Sequence, residues 1–308
     1  MAGPHPDGER LFRHLAAEWQ ENQIHRIATA DLVDTTLRNH MLPFFGDRDI
    51  ASIRPGEVQA WLRNRADRFA PATVDVVYRF FHAICEAAVL DGVIERTPCV
   101  GIRLPRSDRP PIVPPTPADV RSTIDALPDR YRAIAVLAAG TGLRSGECLG
   151  LGRGAVDFDE AVVTVERQLV LPDHAPPFLG PPKTRASYRR VPLPSVVADA
   201  LDHHLDRYPL GPDDLIFTSA RGQPVRRNRL NEAWRDALAR AGIARRIRFH
   251  DLRHFYASLL IRHGESIKVV QARLGHASAT ETLDTYSHLW PDNGEQTRNA
   301  VDAVLGIV

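Results

Sequence analysis

The carboxy-terminal part of the chain carries arginines, histidines and a tyrosine whose types suit chemistry on a phosphodiester. These residues are His250, Arg253, His276 and Tyr286, and Arg144 lies well upstream of them. Guanidinium groups bind phosphate oxygens through paired hydrogen bonds and stabilise the charge that develops when phosphorus becomes pentacoordinate. A tyrosine phenol is a nucleophile once it is activated. The pattern therefore predicts a site that holds a phosphodiester and attacks it.

His250 and Arg253 are three residues apart on a predicted helix, so they share one face beside an apolar stripe. We expect the converging positive charge of Arg144 and Arg253 to activate Tyr286, because a phenol has an ordinary pKa near 10. Each residue also has a structural explanation: His276 as a surface residue after a helix cap, and Tyr286 as a core tyrosine. Their order and spacing together favour the catalytic interpretation.

Lysine is nearly absent from the chain. Of the 39 Lys and Arg residues, only Lys183 and Lys268 are lysine. Arginine holds its proton too strongly to act as a general acid, whereas lysine can be tuned for that role. Lys183 lies in a turn region before a predicted strand, and we treat it as a candidate proton donor.

The length and composition are those of a globular protein with room for two domains. The chain has 308 residues, of which 44% are hydrophobic and 25% charged, and no run is long enough to span a membrane. The segment Met1–Pro6 lacks the features of a secretion signal, which predicts a cytoplasmic protein. Cys85, Cys99 and Cys148 form no C-x-x-C pair, so we expect buried thiols rather than disulfides or a structural zinc site.

Positive charge is concentrated in one part of the sequence. The net charge is only +1, but the stretch from Lys183 to Arg253 has 15 Lys and Arg against 8 Asp and Glu. Such a local excess is typical of a surface that faces phosphates. An arginine-rich face that is merely solvated fits the same numbers, so charge alone leaves both interpretations open.

Hydrophobic periodicity and proline content divide the chain into three parts. Residues 8–104 have four segments with apolar residues at helical spacing, which predicts a small all-helical domain. Residues 105–117 contain too many prolines for a helix and form an extended linker; Arg103, Arg106 and Arg109 in and beside it suggest that it follows a polyanion. Residues 118–308 are helical at both ends, with period-two segments at 161–165, 168–170 and 190–193 that predict a small antiparallel sheet.

The motifs occur in an order that resembles one family. The tyrosine recombinases, or phage-type integrases, are similar in the motifs Thr141-Gly142-Leu143-Arg144-Ser145-Gly146-Glu147, Pro182-Lys183-Thr184, His250-Asp251-Leu252-Arg253-His254, Leu274-Gly275-His276 and Tyr286. The resemblance implies a mainly α protein. It predicts an N-terminal helical, SAM-like core-binding domain and a C-terminal α+β catalytic domain of the DNA breaking-rejoining type, with a small antiparallel sheet.

The resemblance also implies roles for the individual residues. Tyr286 is the nucleophile, which forms a 3′-phosphotyrosine and releases a 5′-hydroxyl. Arg144 and Arg253 clamp the scissile phosphate, and Lys183, on a mobile hairpin, protonates the leaving oxygen.

The remaining family positions support the same reaction. His276 hydrogen-bonds the phosphate, and Glu147 orients the surroundings of the first arginine. His250 acts either as a general acid/base or as a hydrogen-bond partner, and the motif does not decide between the two.

No cofactor is expected. A phosphotyrosyl bond retains the energy of the phosphodiester, so strand exchange needs neither ATP nor a metal, and the chain has no G-x-x-x-x-G-K-[ST] loop and no H-E-x-x-H motif. Five histidines occur between His250 and His288, but no carboxylate or cysteine joins them at ligand spacing, so no metal site is predicted.

The expected partners are nucleic acid and further copies of the chain. In the family, the two domains close around double-stranded DNA at specific recombination sites, and four protomers form a homotetramer, in some cases with accessory directionality or bending proteins. After a break at residues 291–294, an apolar stripe is formed by Val301, Val304, Leu305 and Val308. This tail either docks on a neighbouring subunit or packs on its own domain.

The predicted function is integration or excision of a phage or mobile element. The core-binding pattern begins near residue 10, so the chain either lacks arm-site recognition or is part of a longer protein. The tract 282–288 resembles integrases of mobile elements more than chromosome-dimer resolvases. The alternatives are a chromosome-dimer-resolving recombinase, a relaxing topoisomerase with the same tyrosine chemistry, and a catalytically silent DNA-binding regulator.

Overall fold

The computed structural model describes residues 11–106, 110–172, 175–290 and 294–306. The chain divides into two compact units: the first runs to Arg109, and the second comprises Pro110–Leu171 and Ala175–Val308. The division falls within the proline-rich segment. Among the described residues, no helix has the length and apolar character needed to cross a membrane.

The first unit is helical. Its helices are α1 Phe12–Asn22, α2 Ile27–Thr36, α3 Leu42–Phe45, α4 Pro55–Ala66 and α5 Pro71–Leu90, and a π-helical turn joins α2 to α3. Proline is the first residue of α4 and of α5, where a backbone N–H would have no hydrogen-bond acceptor within the helix. The core is aromatic: the Phe45 ring centroid lies 5.0 Å from those of Trp61 and Phe81. Cys85 and Cys99 are free and buried.

The second unit combines helices with short strands. Its helices are α6 Pro117–Ala126, α7 Asp129–Thr141, α8 Ser145–Leu149, α9 Ser195–Arg207, α10 Arg227–Arg240, α11 Asp251–Arg262, α12 Ile267–Leu274, α13 Ala279–Tyr286 and α14 Gly294–Leu305. Its strands are β1 Val156–Asp157, β2 Val162–Val165, β3 Gln168–Val170, β4 Phe178–Gly180 and β5 Arg189–Pro192. The predicted mainly α architecture with small antiparallel sheet structure is confirmed.

The antiparallel strands form two small sheets. β1, β2 and β5 pair in that order, with Val163 opposite Val191, whereas β3 pairs with β4 in a separate sheet. β1 and β4 were not predicted: β1 has only two residues, too few to show alternation, and β4 lies between Pro177 and Pro181, which obscure a strand pattern. The β3–β4 hairpin is thus inserted between the two neighbouring strands β2 and β5.

Helix α7 runs through the middle of the second core and ends at the site. It packs against α9 and α11, and buries residues on most of its surface, including Ile134, Ala135, Leu137 and Ala138. Its C-cap is Gly142, in the left-handed conformation with φ 66°. α12 ends in the same way at Gly275, also with φ 66°. Glycine suits both positions, because a Cβ disfavours this conformation.

Substitution of Gly142 is expected to destabilise the second unit. An alanine Cβ there would lie 2.4 Å from Tyr256 Cδ1, so Gly142→Ala combines a backbone penalty with a steric clash. We expect a loss of roughly 2–4 kcal/mol in the free energy of unfolding. Gly242→Ala is the matched control, because Gly242 has φ +70° and open space around it; the expected loss is about 1 kcal/mol. Calorimetric unfolding measures both, and equal losses would contradict the steric contribution.

Candidate active site

Arg253 is buried where the ends of two helices meet. Its residue exposure is 3%, and its guanidinium donates to the Gly142 carbonyl at 2.8 Å and the Leu274 carbonyl at 2.6 Å. These acceptors are at the C-terminal ends of α7 and α12, where carbonyls lack helical partners and the helix dipole is negative. Burial and the nearby charge of Arg144 lower the pKa of Arg253 to about 9, so it stays positive at neutral pH. Carbonyls satisfy its donors without neutralising its charge.

Arg144 lies beside Arg253 and is held by both a carboxylate and a carbonyl. It precedes α8, and Nη1 donates to Glu147 Oε1 at 3.0 Å while Nη2 donates to the Gly275 carbonyl at 3.2 Å. The Arg144 backbone N–H donates to Glu147 Oε2 at 2.9 Å. Because Leu274 and Gly275 are consecutive, their carbonyls bring the two guanidinium groups together. The predicted arginine pair therefore converges.

Glu147 is a buried carboxylate shared by two arginines. It is 2% exposed, and Arg189 on β5 donates to both of its oxygens, at 3.2 Å and 2.8 Å. Burial raises the pKa of Glu147, but the hydrogen bonds and charge of Arg189, with the charge of Arg144, outweigh it and lower the pKa. Two guanidinium groups thus share one carboxylate and Arg253 lies nearby without a carboxylate partner, which leaves this group of residues positive. The sequence did not single out Arg189, since nothing in the local pattern separates it from Arg190.

Lys183 lies at the edge of the site, in the connection from β4 to β5. It is exposed, and its neighbour Thr184 forms a hydroxyl–hydroxyl hydrogen bond of 2.9 Å with Ser187. Ser187 Oγ accepts from Arg144 Nη1 at 3.1 Å. β4 and β5 belong to different sheets, so Lys183 sits in a crossing between sheets. The connection that carries Lys183 is therefore linked to the first arginine through two hydroxyl groups.

Tyr286 is the last residue of α13 and is 1% exposed. Its hydroxyl oxygen lies 2.8 Å from His254 Nδ1. Burial raises the pKa of Tyr286 to about 12, although Arg253 and Arg144 act in the opposite direction. The expectation that converging positive charge activates this phenol is wrong for this structure, because removal from water is the larger effect.

His276 is buried against the tyrosine rather than lying on the surface. It is 7% exposed, its Nδ1 is 2.8 Å from Thr282 Oγ1, and its ring is parallel to that of Tyr286 at 6.3 Å. Burial and the charges of Arg253 and Arg144 lower the pKa of His276 to about 3. The ring is therefore neutral, and Thr282 fixes its orientation.

His250 does not share the buried environment of Arg253, although the two residues are three apart in the sequence. It is the N-cap of α11 and is exposed, whereas Arg253 is buried. Desolvation by neighbouring protein atoms and the charge of Arg253 lower the pKa of His250. Its ring centroid is 5.4 Å from that of His254, with the rings perpendicular.

His254 is a site residue that the sequence did not identify as one. It forms a hydrogen bond with Tyr286. Burial and the neighbouring His250 lower the pKa of His254 to about 4. No spacing rule relates residues 254 and 286, because their contact depends on how α11 packs against the end of α13. The only available signal was its place directly after Arg253.

An arginine-lined groove of about 840 Å³ lies next to His250. No acidic side chain lines it, and its polar lining includes Arg227, Asn228, Asn231, Arg235, Arg245, Arg246 and Arg248. All five arginines are exposed. The charge excess seen in the sequence is thus concentrated on one surface beside the site, which favours a phosphate-facing role over simple solvation.

The second half of the proline-rich segment is fastened near the site by its carbonyl groups. Arg245 Nη2 donates to the carbonyls of Val113 and Pro114, both at 3.1 Å. His288, two residues after Tyr286, donates from Nε2 to the Ile112 carbonyl at 2.8 Å. The segment therefore connects the arginine-lined groove with the residues that follow the tyrosine. Arg109 lies outside the described residues.

Family models and known proteins are similar to this chain in sequence. The model of the phage integrase family matches residues 116–292, and that of the phage integrase central domain matches residues 12–104. The chain is 30% identical to a putative prophage phiRv2 integrase of Mycobacterium tuberculosis, over 90% of this chain and 74% of that protein. It is 29% identical to a tyrosine recombinase XerC-like protein of Caldanaerobacter subterraneus subsp. tengcongensis, over 75% of this chain and 65% of that protein, slightly less than two thirds of its length.

Two solved structures have the same fold. The Tn1549 transposon integrase in complex with a circular intermediate DNA superimposes with a TM-score of 0.82 at 19% identity, covering 96% of this chain and all of that chain. A lambda integrase tetramer bound to a Holliday junction gives a TM-score of 0.67 at 17% identity, covering 87% of this chain and 77% of that chain.

The chain belongs to the phage integrase family. This confirms the class of protein predicted from the motifs.

The buried neutral histidines are expected to make stability depend on pH. The pKa of His254 is about 4 and that of His276 about 3, against 6.5 ordinarily. As pH falls from about 6.5 towards 4, these histidines bind protons in the unfolded state but stay neutral in the folded state. The free energy of unfolding therefore decreases. Each histidine contributes a slope of up to about 1.4 kcal/mol per pH unit.

Chemical denaturation between about pH 7 and 5 measures this dependence. His254→Asn should have a shallower slope than the unsubstituted protein, because one of the two groups is gone. His263→Asn, at an exposed position at the end of the same helix, should retain the original slope. An unchanged slope in His254→Asn would show that this histidine does not resist protonation in the folded state.

Proposed function

We propose that this chain recombines DNA at specific sites by cutting it with Tyr286, which becomes joined to the DNA as a 3′-phosphotyrosine. The observation that carries the proposal is the surplus positive charge of Arg144 and Arg253 next to a tyrosine hydroxyl. A phosphodiester is the anion that two such guanidinium groups suit, because each offers a pair of N–H donors. The DNA phosphate would then supply the negative charge that the site lacks.

The proposed reaction exchanges one phosphodiester for another. Tyr286 Oη attacks phosphorus, the bond to the 5′-oxygen breaks, and Lys183 gives that oxygen a proton. Arg144 and Arg253 stabilise the charge on the non-bridging oxygens as it builds up. Rejoining is the reverse reaction, with a 5′-hydroxyl from either strand as the attacking group.

The remaining site residues support the phosphate and its clamp. We assign Thr282 Oγ1 as the donor to His276 Nδ1, which places the ring proton on Nε2, 3.7 Å from Glu281 Oε1, where it can be donated to a phosphate oxygen. Glu147 holds Arg144 in place through its carboxylate, and Arg189 holds Glu147. His250, exposed beside the groove, is assigned a hydrogen bond to the DNA phosphate.

Double-stranded DNA is the proposed substrate of the arginine-lined groove. Its five arginines face solvent with no acidic residue among the lining side chains, so they can neutralise backbone phosphates. Asn228 and Asn231 lie in the same groove, and asparagine can pair with adenine edges in the major groove. The Tn1549 integrase was solved in complex with DNA, which supports the assignment through the shared fold.

A homotetramer is the proposed working assembly, and the tail is its proposed contact. In α14, Val301, Val304 and Leu305 are 49%, 80% and 72% exposed, so this stripe does not pack on its own domain; Val308 and residues 291–293 lie outside the described part. An exposed apolar stripe favours a protein partner, and lambda integrase forms a tetramer on a Holliday junction. We further propose accessory directionality or bending proteins, and a cytoplasmic location where the DNA is accessible.

Integration or excision of a mobile element is the proposed biological role. The prophage integrase of Mycobacterium tuberculosis, aligned over 90% of this chain, supports it. Similarity to an XerC-like recombinase keeps chromosome-dimer resolution as the second candidate. An attachment-site repeat beside the gene would favour the first role, and its absence the second.

Replacing the tyrosine is expected to abolish covalent attachment to DNA. A suicide substrate with a nick near the cut site should trap a protein–DNA adduct with the unsubstituted protein. Tyr286→Phe should form none, because no nucleophile remains, while Tyr188→Phe, at an exposed position, should form it normally. Denaturing electrophoresis measures the adduct, and an adduct with Tyr286→Phe would disprove the assignment.

Replacing the lysine is expected to slow cleavage rather than DNA binding. Lys183→Ala should reduce the single-turnover cleavage rate roughly 100-fold or more, since the leaving oxygen lacks its proton donor. A 5′-thio leaving group needs no proton and should restore most of the rate. Lys268→Ala removes the only other lysine and should cleave both substrates normally. Failure of the thio substrate to rescue Lys183→Ala would rule out the general-acid role.

A further inference from the structure

The hydroxyl of Tyr286 is held by a side chain that none of the proposed roles includes. His254 Nδ1 lies 2.8 Å from Tyr286 Oη, with ring centroids 5.6 Å apart. Among the described residues, His254 is the side chain that hydrogen-bonds this hydroxyl. Tyr286 is 1% exposed, so bulk water does not reach it to take its proton. The protein group placed to take that proton is His254.

The other basic groups of the site are committed elsewhere. His276 faces Tyr286 with its ring stacked parallel, and its Nδ1 is paired with Thr282. His250 is exposed and contacts the ring of His254. The carboxylate of Glu147 is taken by Arg144 and Arg189. Among the described residues, His254 is therefore the base in direct contact with the phenol.

We propose that His254 accepts the phenol proton of Tyr286 as the phenol oxygen attacks phosphorus, and returns it when the strand is rejoined. The inference rests on the proposed function, in which Tyr286 is the nucleophile. In the forward step the Oη–H bond breaks and an Nδ1–H bond forms, while the Oη–P bond forms and the bond from phosphorus to the 5′-oxygen breaks. The leaving oxygen takes its proton from a separate donor, assigned above to Lys183.

Before DNA binds, the proton is on the phenol and the imidazole is a weak base, so the transfer depends on the charge that a bound phosphate adds. His254 has a pKa of about 4, so its ring is neutral and Nδ1 has a lone pair to receive the proton. Tyr286 has a pKa of about 12, so the proton does not leave before attack. It moves as the Oη–P bond forms, when the phenol oxygen loses its basicity. A bound phosphate then stabilises the imidazolium by its negative charge.

The test separates proton transfer from simple positioning of the tyrosine. His254→Asn places an amide oxygen near the position of Nδ1, so it can still accept a hydrogen bond but not a proton, and His254→Ala removes both. Single-turnover cleavage of the nicked suicide substrate should slow roughly 100-fold or more in both variants. His263→Asn, exposed at the end of the same helix, should cleave normally. Thermal unfolding and non-covalent DNA binding at neutral pH verify folding.

A second measurement changes the acidity of the phenol. With 3,5-difluorotyrosine at position 286, the proton is more easily lost, so the His254→Asn variant should regain about tenfold or more of its rate, while the parent changes little. Rejoining of the trapped adduct by an added 5′-hydroxyl strand should be slowed as much as cleavage, because the two steps share one transition state.

The outcomes distinguish this inference from the proposed function. Cleavage by His254→Asn within about threefold of the parent would overturn the proton-transfer role and leave His254 as a positioning residue. Slow cleavage that difluorotyrosine does not improve would also overturn it. In both cases Tyr286→Phe would still form no adduct. An adduct formed by Tyr286→Phe would instead disprove the nucleophile assignment itself.

Discussion

The positive charge of Arg253 is buried against neutral carbonyl oxygens instead of a carboxylate, and the architecture around the site follows from this. Burying a charge is costly unless its donors are satisfied. Here the carbonyls of Gly142 and Leu274 satisfy them. This requires α7 and α12 to end at the same place, with glycines that turn the backbone there. A site arranged in this way is stable when empty but remains attractive to an anion.

The buried carboxylate of Glu147 holds two arginines in place without cancelling their combined charge. Glu147 holds Arg144 and Arg189 together, and Ser187 connects Arg144 to the segment that carries Lys183. Removal from water disfavours the charged form of every group in the site. Hydrogen bonds and ion pairs outweigh it for Glu147, whereas for Tyr286 and His254 it prevails and keeps the phenol protonated and the imidazole neutral. In this structure the arginine pair is therefore charged, while the phenol of Tyr286 keeps its proton and His254 is neutral.

The sequence predicted which residues converge at the candidate site better than it predicted their surroundings. Arg144, Arg253 and Tyr286 were found because type, order and spacing are properties of the chain itself, and the helices were found from their period. Arg189 and His254 were not assigned roles, since each acts through a contact between distant segments. The direction of the Tyr286 pKa was predicted wrongly, because burial depends on tertiary packing. The short strands β1 and β4 gave no periodic signal.

The proline-rich segment is attached to the second unit through backbone carbonyls. Ile112, Val113 and Pro114 each offer a carbonyl oxygen, to His288 and Arg245. Every residue type has that oxygen, including proline, so the attachment places little demand on which side chains the segment carries. It does fix which peptide groups stand opposite the two donors. Substitutions are therefore tolerated here, whereas a one-residue insertion or deletion would shift the carbonyls away from Arg245 and His288.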